Sequence, residues 1–150
     1  MWILRINMTD RTYHLEDVPE AYQALGGRGL TSTMVYDEVP PTCHPLGPNN
    51  KLVFAPGVVT GTSASTSARV SVGCKSPLTG TIKEANAGGQ AAQVLARLGY
   101  AAIVVEGKPK DDTLYKILIN KDGVTINADN TLRHLGNYDL VAKMNAEYGD

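Results

Sequence analysis

The stretch from residue 56 to residue 90, PGVVTGTSASTSARVSVGCKSPLTGTIKEANAGGQ, constrains this chain more than any other. It is crowded with Gly, Ser and Thr, and its only charged residues are Arg69, Lys75, Lys83 and Glu84. Such a segment is rich in loops, yet it is too sparsely charged to be a solvated linker. The strand within it, ARVSVGCK, sets Arg69, Ser71 and Gly73 on one side and Val70, Val72 and Cys74 on the other, because successive side chains of a strand alternate. The alternation predicts that the Val70, Val72 and Cys74 side is core. The opposite side is small, polar and armed with one guanidinium, and a large flat object could lie on it.

The same segment ends in EANAGGQAAQ, which puts Asn86, Ala87, Gly88 and Gly89 ahead of a helical pattern. Ala91, Val94, Leu95 and Leu98 share a helical face, and Gly99 is placed to cap its C-terminus. A helix start offers amides without intrahelical partners and a partial positive charge, and bare backbone at Gly88 and Gly89 would let a phosphate or carboxylate approach them. Asn86 could add a donor or lend a carbonyl to a cation. The competing reading is a tight turn from strand to helix, and spacing alone favours it. Arg69 divides the same way, between a solvated surface charge and a planar fork of five donors for a ring or a phosphate. Lys75, Lys83 and Glu84 read as ordinary sheet-edge charges. The glycines do not form the G-x-G-x-x-G dinucleotide fingerprint, and Glu106 stands only loosely where that motif wants its acidic residue.

Elsewhere, residues 2–16 read as an N-terminal hairpin turning at Thr9 and Asp10. DVPEAYQALGG, residues 17–27, predicts a short helix stopped by Gly26 and Gly27, with Arg28 a surface charge. Leu30, Met34 and Val35 define a second helix ending before Pro40 and Pro41. Residues 40–50 are loop, KLVFA is a short buried strand, and AAIVVEG is a fully buried one. A hairpin turns at KDG, residues 121–123, and Leu140, Val141 and Met144 mark a final amphipathic helix. Hairpins with interspersed helices, lacking a regular βαβ rhythm, predict an α+β domain with mixed sheets.

With 150 residues the chain is about one domain, and a chain of this size hides roughly 70% of its unfolded surface. A net charge of −1 argues against a nucleic-acid partner, which needs a basic stripe. Apolar runs such as AAIVV fall far short of a membrane span, so no membrane partner and a cytoplasmic location are expected. Cys43 and Cys74 lack any CxxC spacing and predict neither a disulfide nor a metal centre; Cys74 reads as core, and Cys43 with His44 as loop.

The succession NKLVFAPGVVTGTSASTSARVSVGCKSPLTGTIKEANAGG, followed by LARLGYAAIVVEGKP and preceded by LRINMT, GGRGL and HPLGPNNKL, resembles the N-terminal domain of the aldehyde ferredoxin oxidoreductase family. The resemblance spans nearly the whole chain. It implies an α+β, double-barrel-like saddle carrying a tungsten or molybdenum bis-pterin cofactor, near a [4Fe-4S] cluster. It implies oxidation of aldehydes to carboxylic acids, with electrons passed to ferredoxin or an electron-transfer subunit. Arg69 matches the family arginine between pterin and cluster. Asn86, Ala87 and Gly88 match the loop that grips one pterin and its phosphate, and the carbonyl at Asn86 matches one that helps hold a magnesium ion between the pterin phosphates.

The family pattern continues beyond AEYGD with a second pterin loop, the cluster cysteines and the acidic and histidine residues near the metal; Cys43 and Cys74 are not the cluster ligands. The expectation is therefore an incomplete cofactor-base domain over 1–150, inactive alone and completed by the rest of its own polypeptide. Without that completion it should self-associate, a second copy replacing the missing half. Two other readings stay open: a non-catalytic binding or assembly module of the same fold, and a mononucleotide or sugar-phosphate site at Gly88. For the leading reading, the Arg69 strand and the main-chain amides from Gly88 onward must converge on one hollow.

Overall fold

The computed structural model describes residues 1–149, in two compact units, Met1–Lys110 and Asp111–Asp150, where length alone suggests a single core. The first unit contains strands β1 (Trp2–Asn7), β2 (Thr12–Asp17), β3 (Lys51–Pro56), β4 (Arg69–Lys75), β5 (Ile82–Gly88) and β6 (Tyr100–Glu106). They form one mixed sheet in the order β2-β1-β6-β3-β4-β5. The β1–β6 pair is parallel and all other neighbours are antiparallel, which meets the α+β expectation. Ile3, Leu4 and Ile6 are fully buried in β1, as are Ala102 and Val104 in β6. The apolar run at 101–105 is thus a central strand, as its β-branched character predicts.

Helix α1 (Gly27–Glu38) lies on one face of this sheet. Its Leu30, Met34 and Val35 pack with Ile3, Val53, Ala55, Ala102 and Val104. Val53 pairs with Gly73 and Ala55 with Ser71, so the small side of β4 belongs to this covered face. Ser71 is 1% exposed, and a Cβ added at Gly73 would stand 2.7 Å from the Cβ of Thr31, itself fully buried. Val70 is buried as expected, but the rest of the expected assignment is reversed. The Ser71 and Gly73 side is the bed on which α1 rests, because residues without bulk let a helix backbone come close, while Val72 and Cys74 on the other side are only half-buried. Burial pushes the Cys74 thiol pKa up.

Other expectations also change. The helix predicted over 17–27 is a single 3-10 turn, Glu20–Tyr22, because Asp17 is the last residue of β2. Gly26 and Gly27 do not stop a helix; they open α1, and a Cβ on Gly26 would lie 2.8 Å from the backbone nitrogen of Val58. Lys75 is no edge charge. It is 9% exposed, and its Nζ donates to the carbonyls of Pro41 and Cys43 (2.7 Å to the latter), pinning the 40–50 loop. Helix α2 (Gln90–Arg97) buries Ala92, leaving Ala91 and Val94 exposed and Leu95 and Leu98 half-buried. The helix is turned one residue from the predicted face. Gly99 ends it as expected, at φ +86° with its N–H donated to the Ala96 carbonyl.

The C-terminal end of α1 is fastened by charge. Arg5 gives both Nη groups to the Glu38 carboxylate at 2.8 Å each and its Nε to Glu16 at 2.7 Å; Lys51 Nζ bridges Glu38 at 2.8 Å and Glu106 at 2.6 Å. Glu106 is thereby a structural partner of Lys51. Burial opposes ionisation of Glu38, but the bonds from Arg5 and Lys51 outweigh it and hold its pKa below the usual carboxylate range. The Glu38 bonds raise the Arg5 pKa against the opposing effect of burial.

In the second unit, β7 (Tyr115–Asn120) and β8 (Gly123–Ala128) form the predicted KDG hairpin. A 3-10 turn, Asn130–Leu132, and helix α3 (Asn137–Tyr148) follow. This order of strand, strand, 3-10 turn and helix repeats the first 38 residues of the chain. Leu25 and Gly26 correspond to Leu135 and Gly136, Leu30 to Leu140, and Met34 to Met144. Val124 is the one buried apolar side chain of this unit among the described residues. No helix among the described residues is long and apolar enough to cross a membrane.

Candidate functional site

The β4–β5 register sets Arg69 opposite Gly88, Ser71 opposite Asn86 and Gly73 opposite Glu84. Residues directly opposite on adjacent strands share a face, so these six positions line the side on which α1 lies. Its first turn stops short of the end of that side. Gly27 sits over Ser71, where an added Cβ would be 3.5 Å from the hydroxyl, and Arg28 Nε meets Glu84 Oε2 at 3.3 Å. Beyond that turn Arg69, Asn86 and Gly88 are exposed, so the sequence places a bare polar corner where the helical cover ends.

At the corner the Arg69 Nε donates to Asn86 Oδ1, and Asn86 Nδ2 donates to Ser71 Oγ at 3.1 Å. The guanidinium reaches over Gly88: its Nη1 is 3.5 Å from the position a Cβ there would take. Ala87 is paired with Val70 and belongs to the other face, so only its main chain lies at the corner. Gly88 is strand rather than helix start. Gly89 is the cap residue at φ +117°, with nothing within 4 Å of a would-be Cβ, and its N–H is donated to the Ala68 carbonyl at 3.2 Å. The amides that α2 itself leaves without partners therefore begin at Gln90, two residues later than expected. Arg69, Asn86 and Gly88 are brought together, but on an open corner and not in the hollow that the leading reading requires.

Two contributors escaped the sequence reading. Ser71 counted only as a small residue, and Glu84 as an edge charge. Glu84 has a side chain 11% exposed; the Ser71 hydroxyl, then Arg28, draws its pKa below the ordinary range despite burial. Their shared face shows only once residues 82–88 are known to be a strand, and the sequence reading took 86–89 as the approach to a helix. A larger concavity of about 620 Å³ lies elsewhere, beside the C-terminal half of α1 and the start of β5, lined by Val35, Tyr36, Val39, Pro41, Lys75 and Ile82.

The model of the aldehyde ferredoxin oxidoreductase N-terminal domain matches residues 3–150. The chain belongs to the aldehyde ferredoxin oxidoreductase family. It is 47% identical over 107 residues to the tungsten-containing aldehyde ferredoxin oxidoreductase of Pyrococcus furiosus, covering 70% of this chain and 18% of that protein. Against the enzyme of the same name from Pyrococcus horikoshii the figures are 44% over 126 residues, 83% and 20%. The fold is similar to a chain of the active-site complex BamBC of benzoyl coenzyme A reductase, solved with 1,5-dienoyl-CoA. There the TM-score is 0.90 at 29% identity, over 97% of this chain and 22% of that one. This member of the family thus spans about a fifth of the length of these relatives.

Proposed function

We propose that the chain forms part of the base for a tungsten, or molybdenum, bis-pterin cofactor in an enzyme that oxidises aldehydes to carboxylic acids. The observation that carries this reading is the meeting of Arg69, Asn86 and Gly88 at one exposed corner. The donor set suits an anionic, ring-bearing group. A guanidinium supplies a flat cationic surface, and the glycines leave room that a side chain at 88 would fill. Helix α2 adds amides and a partial positive charge nearby.

In this reading Arg69 holds the pterin edge, and the main chain of Asn86, Ala87 and Gly88 lies along the pterin and its phosphate. The Asn86 carbonyl would serve as a ligand for the accompanying magnesium. The metal, when bound, would supply the two-electron oxidation, with a [4Fe-4S] cluster and ferredoxin or an electron-transfer subunit as the electron path. The cysteines of that cluster lie outside this chain, so the 150 residues alone are inactive. This chain's own part is grip and electrostatics.

In protein expressed from the whole gene under tungstate-supplied anaerobic growth, Arg69→Ala and Asn86→Ala should each lower bound tungsten and pterin by about tenfold, as expected for losing a charge-assisted contact. Circular dichroism of the apoprotein should not change. Metal analysis and pterin fluorescence read the outcome, and undiminished occupancy in both variants removes the proposal.

A further inference from the structure

At the corner Arg69, Asn86 and Ser71 form a hydrogen-bonded chain, and Glu84, on the same face, is the acceptor available at its far end. Arg69 can only donate, and an ionised Glu84 can only accept. Between them stand Asn86 and Ser71, each able to do both. Arg69 Nε donates to Asn86 Oδ1, which turns the Asn86 NH₂ toward Ser71, and Ser71 Oγ accepts it at 3.1 Å. The Ser71 proton must then go elsewhere. Glu84 has an oxygen, Oε1, that is buried and accepts no hydrogen bond, and Glu84 stands one pair along from Ser71 on the same face of the β4–β5 ladder. Ser71 is 1% exposed, so no water competes for it. The other Glu84 oxygen is held by Arg28 at the first turn of α1.

We infer that Ser71 and Glu84 are positioning residues: they fix which end of the Asn86 amide faces Arg69, and so hold the guanidinium over Gly88. The inference rests on the cofactor reading for its use, but the hydrogen-bond chain stands or falls separately. Its distinctive consequence concerns Glu84→Gln. That change is nearly isosteric, yet Gln can donate to Ser71, which lets Ser71 donate to Asn86 and flips the amide so that two donors face each other at Arg69. A merely space-filling Glu84 would tolerate it.

The test is ¹⁵N NMR of the 150-residue chain, reading hydrogen exchange at Arg69 Nε–H and the shifts of the Asn86 side-chain amide. Ser71→Ala and Glu84→Gln should each speed Arg69 Nε–H exchange about tenfold, the scale of one lost hydrogen bond, and move the Asn86 amide signals, with the backbone spectrum of β1 and β6 unchanged. Unchanged exchange and shifts in both variants overturn the inference. Pterin content in the full-length protein separates the two readings. A loss on Arg69→Ala with no effect of either positioning variant, in exchange or content, overturns only the positioning. Accelerated exchange with undiminished content in all three variants overturns only the cofactor reading.

Discussion

Replacing Gly73 with valine should destabilise the first unit by about 3 kcal/mol or prevent its folding, the upper range for forcing bulk into a packed interior. Even the first added carbon would lie 2.7 Å from the Cβ of Thr31 and 3.4 Å from its carbonyl carbon, both on α1. These are not flexible side-chain ends that can swing aside. Relief requires lifting the helix from β4, which would uncover Leu30, Met34 and Val35 as well. Urea denaturation followed by circular dichroism gives the number. If Gly73→Val proves neutral, the small face of β4 is open and the covering of that face by α1 is wrong.

Glu38→Gln should cost about 2 kcal/mol at pH 7, because it removes the carboxylate shared by two partly buried cations and leaves Arg5 to Glu16 and Lys51 to Glu106. The pH dependence follows from the lowered Glu38 pKa. A carboxyl whose pKa is lower folded than unfolded contributes its full stabilisation above the unfolded value, about 4.3, and loses it as pH falls through the folded one. The gap between native protein and variant should therefore be constant from pH 8 to pH 6 and close in more acidic solution, as native Glu38 is protonated. Denaturation curves at several pH values report it; a gap that stays constant into acid would show that the Glu38 charge contributes nothing to folding.

Where the chain alternates or repeats cleanly, its elements could be read directly. The hairpin of β1 and β2, the apolar run that becomes β6, the KDG hairpin and the stop at Gly99 all follow from local chemistry, as does the α+β class. The corner was half legible. Arg69, Asn86 and Gly88 stood out, but Ser71 and Glu84 did not, because a serine among serines and a glutamate beside a lysine carry no local signal. The repeat of the first 38 residues in the second unit was masked by turns of different length and by few shared side chains.

By itself the sequence determined which residues of β4 share a side, since alternation is a property of the extended backbone, but that residues 82–88 form a strand beside it came only with the fold. The sequence could not determine which side is covered. That depends on where α1 lands, forty residues earlier in the chain, and on the absence of side chains at Gly26 and Gly73 that lets it settle so closely. The place where its first turn ends then decides which polar residues are buried and which remain exposed. Exposure is a relation between distant segments, and only the folded chain brings them together.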